Sequence, residues 1–338
     1  MARSITDIAK ALELSETTVS RALSGKGRVS PVTRHKVMQY AESNSYVPNS
    51  IAQSLVTAKA NTIAFLMTHA PLDENVSFFG QCLAGVCRKA SSMSYDVIVV
   101  NSDKKDEAEL QRLIARRKVD GVMLNRELEP DVLDVLERYQ TPYVLLGASE
   151  NTSVNQVDTD VVKGAEDLVA RLVQDGIAKV AYIGEYDCYT VNKRRVQGFL
   201  NACDKNGVAE RQVYKTRGMA TQDEIDRAVR SAVAICECII TNDDVMCLRV
   251  MNALARMKIA IPDQIKLASL YHDYLLGISV PRITGVNHRP LDVGENAAKI
   301  LISILEDDEY PKRGNKLWVD YELIMRESTQ TPNGGQRT

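Results

Sequence analysis

The chain has 338 residues, of which 45% are hydrophobic, and this is enough for two sizeable cores and a small appended unit. No apolar run approaches the roughly eighteen residues that cross a bilayer, and the N-terminus lacks the apolar centre of a secretion signal, so we expect a cytoplasmic protein with no membrane partner. The net charge is −2, but residues 1–59 carry eight Lys or Arg and four Asp or Glu, a net +4 that leaves −6 for the rest. A cationic head on an anionic body is expected where one small part of a protein meets phosphate.

The first 45 residues predict three short helices and no strand. Thr6 is a candidate N-cap for the first helix and Ser15 for the second, while Ser30 followed by Pro31 marks the start of the third. Each helix has one apolar side, and together the three form only a tiny core. Such a core fits a helix-turn-helix unit and does not fit a catalytic domain.

The second of these helices, "ETTVSRALS" at 16–24, has a polar side opposite its apolar residues. A polar stripe considered alone is more often a solvated helix face than a binding surface. In a helix-turn-helix unit, however, this helix enters the major groove, where Arg21 can donate two hydrogen bonds to guanine. Glu16 can accept from cytosine N4, and Thr17 can contact a base edge or a thymine methyl group.

A short linker, "VPNSIAQSLVTAKAN" at 47–61, joins the basic head to the rest of the chain. Asn49 can cap a helix of two turns that carries Ala52 and Leu55 on one side. A helix this short does not support its own nucleation, so we expect it to form only against a partner.

From residue 62 onward, short apolar runs alternate with longer amphipathic stretches. The runs "TIAFLMT", "DVIVVN", "GVMLN" and "YVLLG" predict buried strands, and "KVAYIGE", "ECIITN" and "IKLASL" form a second series. Strands alternating with helices indicate parallel, doubly wound sheets, and two series of similar length indicate two similar lobes. Ligands bind such sheets beyond the carboxyl ends of the strands, so we expect a cleft between the lobes.

The head and linker resemble the DNA-binding part of the LacI/GalR family of bacterial transcriptional repressors. The resemblance rests on "DIA" at 7–9, "TVSR" at 18–21, "TR" at 33–34 and "YVPN" at 46–49; "VDGVML", "RRVQGF", "TNDDV" and "IPDQI" follow in the family's order. It implies an α/β fold class in which an all-α helix-turn-helix head and a hinge helix are joined to two doubly wound α/β lobes. These lobes resemble the periplasmic binding proteins of type I.

The resemblance also implies a division of the chain in which the lobes exchange segments. The implied parts are a helix-turn-helix domain at 1–46, a hinge helix and linker at 47–60, an N-terminal lobe at 61–158 and 288–316, a C-terminal lobe at 159–287 and 317–330, and a flexible tail at 331–338.

Three groups of DNA contacts follow from the resemblance. The base-reading residues are Glu16, Thr17 and Arg21. The phosphate contacts are made by hydroxyl groups, which suit that task, on Ser4, Ser20, Ser24, Ser30 and Thr33. In the hinge, Leu55 enters the minor groove at the operator centre and kinks it, accompanied by Tyr46, Asn49 and Ala52. Ordinary core packing is a weak alternative for Leu55, because so short a linker has little core to join.

The resemblance further implies an effector cleft between the lobes. The residues matched to it are Phe79, Arg195, Asn242, Asp243, Tyr271 and His288. Arg195 matches an arginine that binds ligand hydroxyls or a carboxylate, and Phe79 matches a ring that stacks on a sugar or base. A lone arginine on a helix is usually a solvated charge, so only the implied position in the cleft favours ligand binding.

Three positions depart from the family's pattern. Glu13 stands where the family usually has a glycine in the turn, and a left-handed backbone there costs about 1–2 kcal/mol. Tyr271 stands where sugar-binding members carry an aspartate, and Gly147 where many carry a polar group. Because hydroxyl-rich ligands need paired acceptors, both losses weaken a simple monosaccharide pocket, while Tyr271 and His288 favour stacking combined with hydrogen bonding.

The implied function is a ligand-responsive repressor of a carbohydrate-utilisation operon, released from a near-palindromic operator by a sugar or glycoside. A repressor that needs a purine- or nucleoside-type corepressor is the alternative. The tail "TQTPNGGQRT" lacks leucine heptads, so we expect a homodimer. The expected location is the bacterial cytoplasm, in association with the nucleoid, and no cofactor is implied.

Two other classes of protein explain less of the sequence. The chain has no phosphate loop, nucleophile elbow or "HExxH" motif, which argues against an enzyme. Four dispersed histidines and seven cysteines do not indicate a metal site, and we expect the "CEC" at 236–238 to lie in a buried strand with free thiols. A secreted solute-binding protein accounts for two lobes but leaves the basic head unexplained.

Overall fold

The computed structural model describes residues 4–25, 27–44, 46, 59–68, 76–102, 107–125, 130–149, 151–185, 190–216, 220–272 and 274–330. The chain divides into two compact units, Met1–Asn61, which includes the head, and a body at Thr62–Thr338. The predicted hinge helix and flexible tail lie outside the described residues. No helix within these ranges is long and apolar enough to cross a membrane.

The head consists of three helices around a small apolar core. Its helices are α1 (Ile5–Leu12), α2 (Glu16–Ser24) and α3 (Pro31–Ser43). Ile8, Val19 and Val37 contribute one fully buried side chain from each helix, so the core depends on all three. The predicted helix-turn-helix unit is confirmed.

The first lobe of the body is a six-stranded sheet in which every neighbouring pair of strands is parallel. Its order is β11-β5-β4-β3-β1-β2. The strands are β1 (Thr62–Thr68), β2 (Asp96–Ser102), β3 (Gly121–Leu124), β4 (Tyr143–Leu146), β5 (Gln156–Thr159) and β11 (Lys316–Val319). The helices α4 (Val76–Ser92) and α12 (Pro290–Glu306) cover one face, and α5 (Glu107–Ala115) and α6 (Pro130–Arg138) cover the other.

The second lobe repeats this plan with one antiparallel strand at its edge. Its order is β12-β10-β9-β8-β6-β7. The strands are β6 (Lys179–Glu185), β7 (Glu210–Thr216), β8 (Cys238–Thr241), β9 (Lys266–Ser269), β10 (Thr284–Asn287) and β12 (Glu322–Ile324). The helices are α7 (Val161–Gln174), α8 (Thr190–Lys205), α9 (Gln222–Val233), α10 (Asp244–Arg256) and α11 (Tyr274–Ile278). Two doubly wound α/β lobes are therefore confirmed.

The chain crosses between the lobes three times, after β5, after β10 and after β11. We call these the first, second and third crossovers. The last exchange between the lobes was predicted between residues 316 and 317, and this prediction is wrong by about three residues. Trp318 pairs with Asp158 in the first sheet, so β11 belongs entirely to the first lobe.

One predicted strand is less buried than its composition indicated. The run "DVIVVN" forms β2, but β2 lies at an edge of the first sheet, and Ile98 and Val99 are exposed there. Apolar composition alone does not distinguish a strand covered on both faces from an edge strand whose outer face is open.

Candidate DNA-binding head and effector cleft

Helix α2, the predicted recognition helix, is anchored in the head by its apolar side. Ser15 caps it by accepting a hydrogen bond from the Thr18 backbone N–H at 3.1 Å, as predicted. Val19 and Ala22 are buried in the head core. The predicted DNA-contacting residues of this helix, Glu16, Thr17, Ser20, Arg21 and Ser24, are all exposed. The helix thus presents one continuous polar face to solvent.

Arg21 lies against the glycine-rich turn that follows its helix. A methyl group built on Gly27 would stand 3.1 Å from Arg21 Cδ, and Gly27 has a φ of +84°, which side chains rarely adopt. The turn before α2 contains Glu13 with a φ of 56° and a ψ of 42°, the left-handed backbone expected there. Helix α2 forms despite this strained backbone at Glu13.

Three of the predicted phosphate-contacting hydroxyls, on Ser4, Ser30 and Thr33, lie at helix starts, whereas Ser20 lies within α2 and Ser24 at its end. Ser4 caps α1 in a reciprocal arrangement with Asp7, so the prediction that Thr6 is the cap is wrong. Ser30 caps α3 by accepting from the Thr33 backbone N–H at 3.1 Å, and the Ser30 and Thr33 hydroxyls are 2.7 Å apart. Helix N-termini direct backbone N–H groups outward, which suits phosphate oxygens.

Of the four predicted hinge residues, only Tyr46 lies within the described part of the chain. Its ring is half-buried against the head core, and its backbone N–H donates to the Ala41 carbonyl at 2.8 Å. Burial raises the pKa of its hydroxyl. Asn49, Ala52 and Leu55 lie outside the described residues.

The body places polar side chains where the strands of the second sheet end. Glu185 ends β6, Asn242 follows β8, and Tyr271 lies two residues after β9. Because β6, β8 and β9 are parallel, these side chains lie at one edge of the sheet. All three are buried, and Tyr271 meets Phe78 of the first lobe, so this edge lies where the two lobes face each other. We call this region the candidate cleft.

Arg195 is the central cation of this cleft. It projects from α8 with only 5% of its surface exposed, and its Nη1 donates to Asn192 Oδ1 at 3.3 Å. Among the described groups, no hydrogen-bond partner reaches its Nε, and the same holds for the hydroxyl of Tyr182 on β6. Buried donors without partners are costly, and a hydroxyl-bearing ligand can satisfy them.

Asn242 and Asp243 form the second polar wall. Asp243 caps α10 by accepting from the Met246 backbone N–H at 2.8 Å, and Asn242 donates to Asp243 at 2.6 Å. Burial raises the pKa of Asp243, while Arg195 opposes this effect. Asn242 packs onto Gly184, where an added methyl group would stand 2.6 Å from Asn242 Oδ1. Asp243 is occupied within the protein, so Asn242 is the better placed of the two for a ligand.

Aromatic rings connect the two lobes across the cleft. Phe79, on α4 of the first lobe, meets the adjacent Phe78 edge to face at 5.3 Å between ring centroids. Phe78 in turn meets Tyr271 of the second lobe at 5.7 Å. Phe79 is therefore in the predicted region, and Phe78, which the sequence analysis missed, is the ring that contacts Tyr271.

His288 does not fit the ligand-contacting role that the resemblance implied. It is 2% exposed, and both ring nitrogens are used within the protein, by the Thr159 hydroxyl at 2.8 Å and the Leu270 carbonyl at 2.9 Å. Burial and the nearby Arg195 lower its pKa to about 3. A neutral ring with both nitrogens bonded has no polar atom left for an effector.

A second arginine, Arg194, joins the lobes beside the cleft and was also missed. From α8 it pairs with Asp158 on β5 at 3.4 Å and lies 5.3 Å from the ring centre of Trp318 on β11. Burial raises the pKa of Asp158 to about 6, although Arg194 and Arg195 both lower it. The adjacent arginines thus face different partners, one the cleft and the other the first crossover.

The described residues contain no group of three His, Cys, Asp or Glu side chains placed to hold a metal ion. The cysteines that the structure describes are free, and both Cys236 and Cys238 are buried, with Cys238 in β8. Burial raises the pKa of both thiols.

A helix-turn-helix head and a two-lobed body with a buried polar cleft define a DNA-binding regulator with a sensor body. Residues 4–49 match the family of bacterial regulatory proteins of the lacI type, and residues 169–329 match the periplasmic binding protein-like domain. HTH-type transcriptional regulator MalR of Staphylococcus xylosus is 30% identical over 343 residues, covering 97% of this chain and 98% of the relative. The chain therefore belongs to the LacI family of transcriptional regulators. Its relatives are regulators, which confirms that it is not an enzyme.

Solved structures show the same fold. The lac repressor dimer bound to operator and the anti-inducer ONPF superposes with a TM-score of 0.76 at 20% identity, covering 98% of this chain and all of that one. The transcriptional regulator CelR in complex with cellobiose superposes with a TM-score of 0.69 at 22% identity, covering 96% and 99%.

Proposed function

We propose that this protein represses a carbohydrate-utilisation operon and that a sugar or glycoside releases it from its operator. The observation that carries the proposal is the polar cleft around Arg195, whose buried donors lack partners in the described chain. A hydroxyl-rich ligand offers acceptor oxygens for such donors, and the new hydrogen bonds offset the loss of its own hydration. One solved structure with the same fold is named as a probable maltose operon repressor and another was solved with cellobiose, and both support the same effector class.

In the head, we assign base reading to Glu16, Thr17 and Arg21. Their exposure on one helix face supports the assignment, because only such a face can enter the major groove. We assign the phosphate contacts to Ser4, Ser20, Ser24, Ser30 and Thr33. The hinge residues Tyr46, Asn49, Ala52 and Leu55 are assigned to the minor groove, with Leu55 as the wedge that kinks the operator.

In the cleft, we assign effector contacts to Arg195, Asn242, Tyr271 and Phe79, with Asp243 holding Asn242 in place. Arg195 donates to ligand hydroxyls, and the aromatic rings cover the apolar faces of a sugar ring. The aromatic content also suits a purine or nucleoside acting as corepressor. The two effector classes differ in outcome, since a sugar inducer weakens operator binding and a corepressor strengthens it.

The way effector binding reaches DNA follows from the crossovers. Only a difference in affinity for two arrangements of the lobes can drive a switch. Arg194 holds Asp158 and Trp318 from across the first and third crossovers, beside the effector-facing Arg195. Closure of the cleft therefore moves the crossovers. Movement of the crossovers in turn changes how the two hinge segments pair in a dimer.

Replacing Arg21 tests the DNA-reading assignment. We expect Arg21→Ala to cost about 1–3 kcal/mol on the selected operator and to relax base preference at a single position in each half-site. The measurement is selection of duplexes from a random pool by the purified protein, followed by fluorescence-anisotropy titration of the best duplex.

Lys36→Ala, on the exposed side of α3, is the matched control. It removes the same charge outside the recognition helix, so any loss should be similar on selected and random DNA. Equal weakening of Arg21→Ala on both kinds of DNA contradicts a base-reading role.

The effector assignment is tested by thermal-shift measurements with ribose, maltose, cellobiose, glycosides and nucleosides, because a bound ligand raises apparent stability. Each compound that raises the melting temperature is then added to the operator complex. Release of the operator by a sugar supports the proposal, and tighter operator binding in the presence of a nucleoside supports the alternative. If no sugar changes operator binding, the proposal is contradicted.

We assign the dimer interface to an apolar patch on the second lobe formed by Tyr274, Leu275, Ile278 and Val280. These four side chains are 48–93% exposed. Isolated exposed apolar residues are ordinary, but four within seven residues form a patch that a second copy can bury. The related lac repressor structure is a dimer, which supports a homodimer here.

Ile278→Glu should weaken the dimer about 100-fold or more, because it places an unpaired charge in the buried patch. Sedimentation velocity over a dilution series measures the change. Tyr139→Glu, at an exposed aromatic residue on the first lobe, should leave the dimer intact. Identical sedimentation of both variants and the unmodified protein removes the assignment.

We place the protein in the bacterial cytoplasm, in association with the nucleoid. We retain the predicted division into head (1–46), hinge (47–60), two lobes and tail (331–338). Only the last exchange between the lobes is moved, to about residue 320. The chain divides into its two compact units after Asn61, which supports the boundary between the hinge and the body.

A further inference from the structure

One imidazole joins segments that lie far apart in the chain. His288 follows β10 at the second crossover. Its Nδ1 lies 2.8 Å from the hydroxyl of Thr159, the last residue of β5 in the first lobe, and its Nε2 lies 2.9 Å from the carbonyl of Leu270, which follows β9 in the second lobe. The ring therefore connects the first crossover, the second crossover and the loop that carries Tyr271.

The two partners fix the arrangement of protons on the ring. A carbonyl oxygen only accepts, so Nε2 carries the hydrogen and donates it to Leu270. Nδ1 then accepts from the Thr159 hydroxyl. The low pKa of His288 keeps the ring neutral, so this one tautomer persists at ordinary pH.

Other residues also surround the faces of the His288 ring. Tyr271 lies nearly parallel to it, with 10° between the ring planes and 6.2 Å between centroids, and Tyr321 of the third crossover lies at 6.3 Å and 54°. Gly164 on α7 leaves room for the ring, since an added methyl group would stand 3.4 Å from His288 Cε1. The imidazole is therefore held by its two hydrogen bonds in a buried site that aromatic rings surround.

We propose that His288 is a positioning residue for the effector cleft, which ties the interlobe crossovers to Tyr271 without touching the effector. Tyr271 meets Phe78 of the first lobe, so its placement sets the aromatic contact across the cleft. Movement of the lobes about the first crossover pulls on Thr159 and, through His288, on the loop that holds Tyr271. The effector role rests on the proposed function, whereas the positioning of Tyr271 does not.

Thr159 offers a matched pair of variants that leaves His288 in place. Thr159→Val keeps the shape but removes the hydroxyl donor, and Thr159→Ser keeps the donor. In full-length protein labelled with ¹⁵N-histidine, the four histidines give a small set of signals. We expect the Nδ1 signal of His288, identified by its loss in His288→Gln, to shift in Thr159→Val and to keep its position in Thr159→Ser.

The position of Tyr271 is read separately, by ¹⁹F spectroscopy of protein labelled with fluorotyrosine, with Tyr271→Phe identifying the signal. We expect Thr159→Val to shift or broaden the Tyr271 signal selectively, and Thr159→Ser to leave it unchanged. An unmoved Tyr271 signal in Thr159→Val overturns the proposal. Equal changes at many tyrosines in both variants also overturn it, because they indicate general loosening.

A sugar that binds the unmodified protein gives the functional arm of the test. Its affinity should fall about tenfold in Thr159→Val and by less than about twofold in Thr159→Ser. Equal affinities in both variants overturn the link between His288 and the effector. Failure of ribose, maltose and cellobiose to bind the unmodified protein counts against the proposed effector class, and the spectra of His288 and Tyr271 still decide the positioning role.

Discussion

Gly294→Ala is expected to destabilise the body by about 3–5 kcal/mol, because it forces apart two helices that touch along their backbones. A methyl group on Gly294 of α12 would stand 1.9 Å from the Cys82 carbonyl oxygen of α4. The contact is reciprocal, since a methyl group on Gly85 would stand 2.1 Å from the Leu291 carbonyl oxygen. Backbone atoms cannot move aside as a side chain can, so the whole helix pair must shift.

The unfolding of the body can be followed by its one tryptophan, Trp318, because the head contains none. We expect the midpoint of thermal unfolding to fall by roughly 10 °C in Gly294→Ala. Gly80→Ala is the matched control on α4. No atom lies within 4 Å of a methyl group added there, so alanine should raise helix stability by up to about 1 kcal/mol. Similar effects at both positions contradict a role for close helix packing.

The close contact between α4 and α12 is a feature of the fold that the sequence did not predict. The apolar runs identified the strands, because burial between two helical layers requires them. Neither Gly85 nor Gly294 stands out in the sequence, because they are 209 positions apart and each resembles an ordinary glycine within a helix. Only the folded chain shows that their missing side chains set the distance between two helices.

The head was more predictable than the cleft for a physical reason. Helix caps and the amphipathic pattern of α2 involve residues three or four positions apart, so local sequence determines them. The one cap predicted wrongly, Thr6 in place of Ser4, depended on the choice between two neighbouring hydroxyl residues. The left-handed backbone at Glu13 followed from the family's usual glycine at that position.

In the cleft, the resemblance located Arg195 and Asn242, but it did not distinguish a residue that faces a ligand from one that braces the cleft. His288 and Tyr271 were predicted together, yet both nitrogens of His288 are bonded to Thr159 and Leu270. Such bonds join residues up to 129 positions apart, and no local pattern reports them. The carboxyl-end rule for parallel strands could have added Glu185, which ends β6 in the same way that Asn242 follows β8.

Asp158→Asn is expected to stabilise the body by about 2–3 kcal/mol at pH 8. Burial raises the pKa of Asp158 from 3.8 to about 6, so the folded protein holds its proton more tightly than the unfolded chain does. Stability is therefore lost as the pH rises through that interval, and the loss persists above it. Asparagine keeps the shape of the side chain and removes the charge. Near pH 4, where folded Asp158 is protonated, the variant should differ little from the unmodified protein.

His288 has the opposite effect, which makes the pH profile informative. Its pKa falls from 6.5 to about 3, so the unfolded chain binds the proton more tightly and stability is lost as the pH falls below 6.5. In the unmodified protein these two trends oppose each other between pH 4 and pH 6. Asp158→Asn removes one of them, so its stability should rise with pH across this range by about 1.4 kcal/mol per pH unit.

Urea unfolding of the full-length protein, followed by Trp318 fluorescence at several pH values, measures both effects. Asp263→Asn, at an exposed carboxylate of the second lobe, is the control and should change stability by less than about 0.5 kcal/mol at either pH. The opposite result is expected if the ion pair with Arg194 dominates, because Asp158→Asn also removes the carboxylate that lies 3.4 Å from that arginine. If Asp158→Asn is less stable than the unmodified protein at pH 8, the attraction between Asp158 and Arg194 exceeds the cost of burying the charge. Asp158 then stabilises the contact between the two lobes.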